Sequence, residues 1–291
     1  MITIAEVKKE NTNAKRNCVS NPIHESRFQK LEKALNDLFL RELNSPKSIF
    51  IKISPNVVRK AAMFLSGMSF RPAAIGICGE TASGKSTIVL DAIEIVENFT
   101  REFLNANAIT RINTDDYYHN RSVEVIKAGS FAEFAKTYDF DVPEAIELSL
   151  MKEHVQKLLK RKEVFLPKYD MSGTAMRYDN HTRAIPSPVI IAEGLYALNE
   201  KVCDIFDFKI YVDIEKSVQK ERFFERAKQR NLGDSAHKIF ENASKKAQIY
   251  VHPCAENADI ILNGEVPREN FRKFVISLLK TVESTYYNFA V

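Results

Sequence analysis

Apolar and polar positions follow two different periods along this chain. Over residues 25–43, Phe28, Leu31, Leu35, Leu38 and Phe39 recur three and four apart, which places them on one helical face. Ser45-Pro46 breaks that helix. Residues 49–53 alternate and read as a short strand. Ser54-Pro55 has the pattern of an N-cap followed by proline in the first turn, with Val57, Val58, Ala61, Ala62, Phe64 and Leu65 as the stripe behind it. Residues 73–78 form an unbroken apolar run, the pattern of a strand buried on both faces. A helical stripe over 86–97 follows, through Ile88, Val89, Ala92, Ile93 and Val96. Further strands are predicted at 109–113, 189–192, 208–212 and 260–262. Further helices are predicted from Pro143 to Leu159, over 217–230 and over 269–282. Strands that alternate with helices predict an α/β fold with a doubly wound parallel sheet of five strands and flanking helices. Residues 1–22 are polar and read as a loose arm, 23–70 as a mostly helical extension, and 71–291 as the main body with a lid near 215–235.

Between the first strand of that body and its helix lies Gly79-Glu80-Thr81-Ala82-Ser83-Gly84-Lys85-Ser86-Thr87. It satisfies G-x-x-x-x-G-K-[ST], the phosphate-binding P-loop. The loop curls until its backbone N–H groups face phosphate oxygens, and Gly79 and Gly84 permit the curl and the close approach. Lys85 brings a positive charge to the β- and γ-phosphates, the Ser86 hydroxyl suits Mg²⁺, and the helix start adds its positive end. Thr81, Ala82, Ser83 and Thr87 complete the cradle. The ligand is therefore expected to be ATP or GTP with magnesium. Strand, glycine loop and helix come in the required order, so the fold class is that of a P-loop NTPase.

Bulk properties narrow the picture only slightly. The chain has 291 residues and a formal net charge of +4, too small to argue for nucleic acid. No apolar stretch approaches the roughly 20 residues of a membrane span, and the first residues lack the apolar core of a signal peptide. Cys18, Cys78, Cys203 and Cys254 are far apart and form no ligand pairs, so free thiols in a reducing cytoplasm are expected.

Three further groups sit at strand ends, where open α/β sheets bind ligands. Asp115, first of the pair Asp115-Asp116, follows the strand at 109–113 and is a candidate base for an attacking hydroxyl. Glu193 closes the strand at 189–192 and is a candidate to hold or polarise magnesium. Arg222, Arg226 and Arg230 lie at i, i+4 and i+8 on one helix face, as a lid over a triphosphate would present them, with Arg226 as the representative catalytic cation. Their alternative is a solvated face paired with Glu221 and Glu225. His119, His181 and His252 have no metal-ligand spacing and read as surface or locally hydrogen-bonded residues.

Taken in order, these motifs resemble the uridine kinase and phosphoribulokinase group of P-loop kinases, over about residues 74–262. The markers are the P-loop, Thr114-Asp115-Asp116-Tyr117-Tyr118, Tyr138-Asp139-Phe140-Asp141-Val142-Pro143, Pro167-Lys168-Tyr169-Asp170, Ile190-Ile191-Ala192-Glu193-Gly194 and Ala258-Asp259-Ile260-Ile261. The resemblance implies that Asp115 is the base, that Asp141 contacts ribose hydroxyls, that Tyr169 lines a nucleoside-base pocket and that Glu193 lies near the metal. Tyr118 joins the substrate-binding set. Where uridine kinases carry a base-reading histidine, this chain has Thr174, a substrate-binding candidate whose hydroxyl either bonds a base in the histidine's place or marks a substrate other than a pyrimidine nucleoside. The expected reaction is transfer of a γ-phosphoryl group from ATP or GTP to a hydroxyl of a small molecule, with a nucleoside such as uridine or cytidine leading. A non-nucleoside alcohol acceptor and a nucleotide-sensing regulator are the alternatives. Residues 23–70 admit a packing role, a dimer surface or a partner-binding role.

Overall fold

The computed structural model describes residues 22–66, 71–101, 107–230, 233 and 235–287. The expected arm at 1–22 therefore lies almost wholly outside the described residues. In chain order the elements begin with α1 (Pro22–Leu43), β1 (Phe50–Ile53), α2 (Val57–Leu65), β2 (Ala73–Gly79), α3 (Lys85–Thr100) and β3 (Ile109–Asn113). Then come α4 (Ser122–Ala128), α5 (Phe131–Phe134), α6 (Leu148–Leu159), β4 (Val164–Tyr169), β5 (Arg177–Ala184) and β6 (Val189–Glu193). The chain ends with β7 (Phe208–Asp213), α7 (Lys216–Gln229), α8 (Ser235–Tyr250), β8 (Ile260–Asn263) and α9 (Arg268–Tyr287).

The main sheet has the order β1-β8-β7-β2-β6-β3. Its five body strands run parallel, as the alternation of strands and helices requires. The sheet nevertheless has six strands rather than five. The sixth is β1 from the N-terminal extension, which pairs antiparallel with β8, Phe50 opposite Leu262 and Ile53 opposite Ile260. The extension thus completes the sheet edge instead of lying against the body as helices alone. An edge strand on β8 also covers backbone groups that would otherwise stay unpaired.

Both faces of the sheet are buried, because successive strand residues point to opposite sides. Ile190 and Ala192 join Ala74, Cys78 and Ile112 in a core under α6, with Met151, Val155 and Leu158. Ile191 points the other way and joins Ile77, Val212 and Leu262 under α1, α3 and α9, with Leu35, Val89 and Phe274. Phe39 stacks on Phe50 at 5.3 Å between centroids, and Phe274 meets Phe50 edge-on at 4.9 Å, which ties the extension to the body. Asp91 of α3 is buried and takes a bidentate pair from Arg268 of α9 (2.6 and 2.5 Å) and a further bond from Arg272 (2.5 Å).

Three local expectations change. The helix expected from Pro143 begins at Leu148, because Pro143–Ala145 forms a separate 3₁₀ turn and Ile146 is extended. The N-cap of α2 is Asn56, not Ser54; the Ser54 carbonyl instead accepts from Val57 N in a turn. Residues 164–184 form a two-stranded antiparallel hairpin, β4 with β5, where no strands were expected. Its alternation is masked by exposure: residues 178–183 of β5 are all exposed. Among the described residues no helix is long and apolar enough to cross a membrane.

Candidate active site

The P-loop follows β2, whose neighbours in the sheet are β6 and β7. Gly84 adopts φ 95°, a left-handed conformation that costs glycine nothing. At Gly79 an added Cβ would come within 2.7 Å of the Val212 carbonyl, so the loop can leave the sheet there only without a side chain. Ser83 is fully buried and its hydroxyl has no partner among the described residues. Lys85 Nζ donates to the Glu80 carbonyl at 3.2 Å.

Parallel pairing of β2 with β6 sets Glu193 opposite Ile77 and brings its carboxylate against α3. Ser86 Oγ donates to Glu193 Oε2 at 2.9 Å. Glu193 is 1% exposed, and Arg111 on β3 pairs with its other oxygen. Asp115 lies at the end of β3, in a short turn where its backbone N–H donates to the Asn113 side chain. Burial pushes its carboxyl above the ordinary range, while the charges of Lys85 and Arg226 oppose that shift and Glu193 and Asp116 add to it. Asp116 is committed elsewhere: it accepts from Tyr169 N at 3.3 Å and pairs with Lys168 at 3.0 Å.

Arg222 and Arg226 of α7 divide by reach. Arg222 Nη1 donates to the Gly264 carbonyl at 2.8 Å, and Arg226 Nη2 donates to Thr81 Oγ1 at 2.6 Å. Burial lowers the pKa of Arg226, with Arg230 adding to the effect. A cavity of about 320 Å³ runs along Gly84, Lys85 and Ser86 to Arg222, Val266 and Phe271. A second cavity of about 630 Å³ is walled by Tyr118, Phe131, Tyr138, Phe140, Asp141 and Tyr169. Between them a third, of about 190 Å³, shares Arg226 with the first and Asp141 and Lys246 with the second.

In the large cavity Tyr118 and Tyr169 lie 5.2 Å apart between ring centroids, and Tyr118 OH donates to the Phe140 carbonyl at 3.2 Å. Burial pushes the Tyr169 phenol up to about 12, and its hydroxyl is buried without a partner among the described residues. Burial, then the charge of Asp139, raises the Asp141 carboxyl. Asp139 itself is held by Lys246 at 2.5 Å. Thr174 is exposed and stands outside the wall of this cavity. Its hydroxyl donates to Asp170 Oδ2 at 2.6 Å and accepts from Met176 N, so the β4–β5 turn consumes it.

Sequence reasoning passed over Glu80. It is buried; Gln219 of α7 donates to it at 2.8 Å and to the Thr81 carbonyl at 3.0 Å, and His252 bonds its other oxygen. The P-loop is thereby tied to the first turn of α7. A carboxylate at a variable loop position carries no sequence signal, since its partners lie 139 and 172 residues away. Arg111 did leave one: a charged residue inside a strand that is otherwise buried. His181 bonds its neighbour Thr182, a local contact as expected, whereas His252 bonds Glu80 of the P-loop across 172 residues.

The donor set around Ser86 fits magnesium in one particular way. Among the described residues no group of three or more His, Cys, Asp or Glu forms a metal cage. A hydroxyl and a carboxylate 2.9 Å apart beside a phosphate cradle suit an ion that keeps waters and takes its other ligands from phosphate.

Residues 74–270 match the family model described as the phosphoribulokinase / uridine kinase family, and the chain belongs to that family. A uridine kinase of Clostridium tetani is 33% identical over 73% of this chain and 94% of its own length. Uridine kinase-like protein 5 of Arabidopsis thaliana is 27% identical over 72% of this chain, which spans 42% of that longer relative. The phosphoribulokinase of Rhodobacter spheroides aligns over 66% of this chain and 70% of its own, with 17% identity and a TM-score of 0.46. Membership makes the chain a phosphotransferase with a hydroxyl group as acceptor.

Proposed function

We propose that the protein transfers the γ-phosphoryl group of ATP or GTP to a hydroxyl of a nucleoside, uridine or cytidine foremost. One observation carries this reading: a third, small cavity shares Arg226 with the phosphate-loop cavity and Asp141 with the aromatic cavity. A donor and an acceptor seated in the two larger cavities would meet near Asp115, which feels the charges of both Lys85 and Arg226. The uridine kinases and the uridine-cytidine kinase among its relatives support the acceptor class.

The reaction needs a base, charge compensation and alignment. Asp115 takes the proton of the acceptor hydroxyl. The freed oxygen bonds to the γ-phosphorus while the bond from that phosphorus to the β-bridging oxygen breaks, and the nucleoside diphosphate leaves. Lys85 and Arg226 offset the charge on the transferring group. Ser86 and Glu193 would hold magnesium, which when bound neutralises phosphate oxygens. Asp141 accepts from sugar hydroxyls, the aromatic wall of Tyr118, Phe140 and Tyr169 stacks the base, and Tyr169 OH offers one unspent hydrogen bond. A ring-lined wall favours a flat heterocycle over a sugar phosphate.

Asp115→Asn is expected to lower turnover by about 10²- to 10⁴-fold while ATP affinity stays unchanged. A coupled assay over a panel of nucleosides and sugar alcohols, with ATP and GTP, measures both. An Asp115→Asn enzyme with full activity would sink the base assignment. ATP binding without phosphorylation of any acceptor in the panel would favour a nucleotide sensor instead.

A further inference from the structure

The cavity beside the P-loop has two chemically different kinds of lining. The P-loop residues Gly84, Lys85 and Ser86 supply polar, cationic lining; Ile49, Leu262, Val266 and Phe271 supply apolar lining, with the Asp91–Arg268 ion pair beside them. A nucleoside triphosphate has the same polarity, an anionic tail and a flat heterocyclic head. Ile49 belongs to neither the P-loop nor α7. It comes from the N-terminal extension, outside residues 74–270 matched by the family.

Ile49 is 2% exposed and fixed from both sides of its backbone. Its N–H donates to Glu42 Oε1 at 3.0 Å, and its carbonyl accepts from Asn263 N at 2.8 Å. Asn263 ends β8 and opens the turn that carries Gly264, to whose carbonyl Arg222 of α7 donates. Two residues earlier, the Lys47 carbonyl accepts from Asn270 Nδ2 at 3.3 Å. The extension therefore grips the 263–270 segment at both of its ends.

We propose that residues 47–53 are a working part of the donor site: Ile49 forms the inner wall of the compartment for the donor's base, and its strand sets the position of the 263–270 segment that frames it. The proposal rests on the donor cavity binding a nucleoside triphosphate, as read above. Its consequence is reciprocal. The donor's base binds the docked extension, so donor binding stabilises that docking by the same factor by which docking improves donor affinity.

The test is equilibrium binding to the full-length chain with magnesium and no acceptor, comparing ATP with inorganic tripolyphosphate. Ile49→Phe, which adds bulk to the apolar lining, is expected to weaken ATP by on the order of tenfold and to leave tripolyphosphate within about twofold. Met63→Phe, on α2 of the extension and exposed, is expected to change neither. Unchanged ATP affinity in Ile49→Phe, or an equal loss for both ligands, would overturn the proposal. Hydrogen exchange on the wild-type protein needs no variant to fold: ATP, but not tripolyphosphate, is expected to slow exchange across residues 47–53. Protection of 263–271 alone would also overturn it. A wild-type protein that binds neither ligand would reject the donor reading beneath it, an outcome distinct from a wild type that binds both while Ile49 is indifferent.

Discussion

At the scale of single residues, the burial of Asp115 has a measurable consequence. Burial raises its pKa, which keeps the carboxyl protonated to higher pH than a free aspartate near 3.8. A base must be ionised, so kcat/KM is expected to rise with pH along an acid limb lying above the ordinary carboxylate range. Asp115→Asn should remove that limb from whatever activity remains, and a pH–rate profile of the two proteins decides it. A wild-type limb at the ordinary value would show that burial does not tune this group. Lys85, Ser86, Asp115 and Glu193 were all legible from spacing, because the P-loop fixes its own geometry and strand ends collect acids. Thr174 was not. Its position matched a base-reading residue, yet Asp170, four residues before it, captures its hydroxyl within the turn. Short polar side chains in tight turns bond locally, and spacing does not reveal which way they face.

At the scale of elements, α3 and α9 are joined across Asp91, a buried carboxylate, with the exposed Glu94 beside it also taking bonds from Arg272. Arg268 and Arg272 lower the pKa of Asp91, the hydrogen bond from Arg268 being the larger cause. A carboxylate whose pKa is depressed on folding stabilises the fold fully above its unfolded pKa, near 3.8, and loses that contribution as pH falls through the depressed value. Asp91→Ala is expected to cost about 2 kcal/mol at neutral pH, softened from a fully buried pair because Arg268 is half exposed. Urea titrations at pH 7 and near pH 3 measure it; an equal deficit at both would reject the ion-pair account. α7 illustrates a different limit of sequence patterns. Its i, i+4, i+8 arginines were visible, but Gln219, buried at 1% exposure among charged neighbours, anchors that helix to Glu80 and gave no periodic signal.

At the scale of the whole molecule, two cores lie on the two faces of the sheet, a small third cluster around Phe223 and Phe240 joins α7 to α8, and the second sheet core mixes residues of the extension and the body. Phe50→Ala is therefore expected to destabilise the entire chain by about 3 to 5 kcal/mol and to preserve a single unfolding transition. Coincident melts by far-ultraviolet circular dichroism and tyrosine fluorescence check this. A separate early transition in the variant would mean that the extension unfolds alone. The order of strands and helices, the parallel body and the phosphate loop were decided by the sequence itself, since each rests on local periodicity or on a contiguous motif. Tertiary structure alone decided that β1 completes the sheet, that Glu80 is bound by Gln219 of α7, and that Ile49 shares a cavity with Lys85. Those pairings join residues far apart in the chain, up to 214 positions for Ile49 with Asn263. Nothing in a local pattern encodes such a pairing; it exists only once hydrophobic burial has folded the two stretches against one sheet.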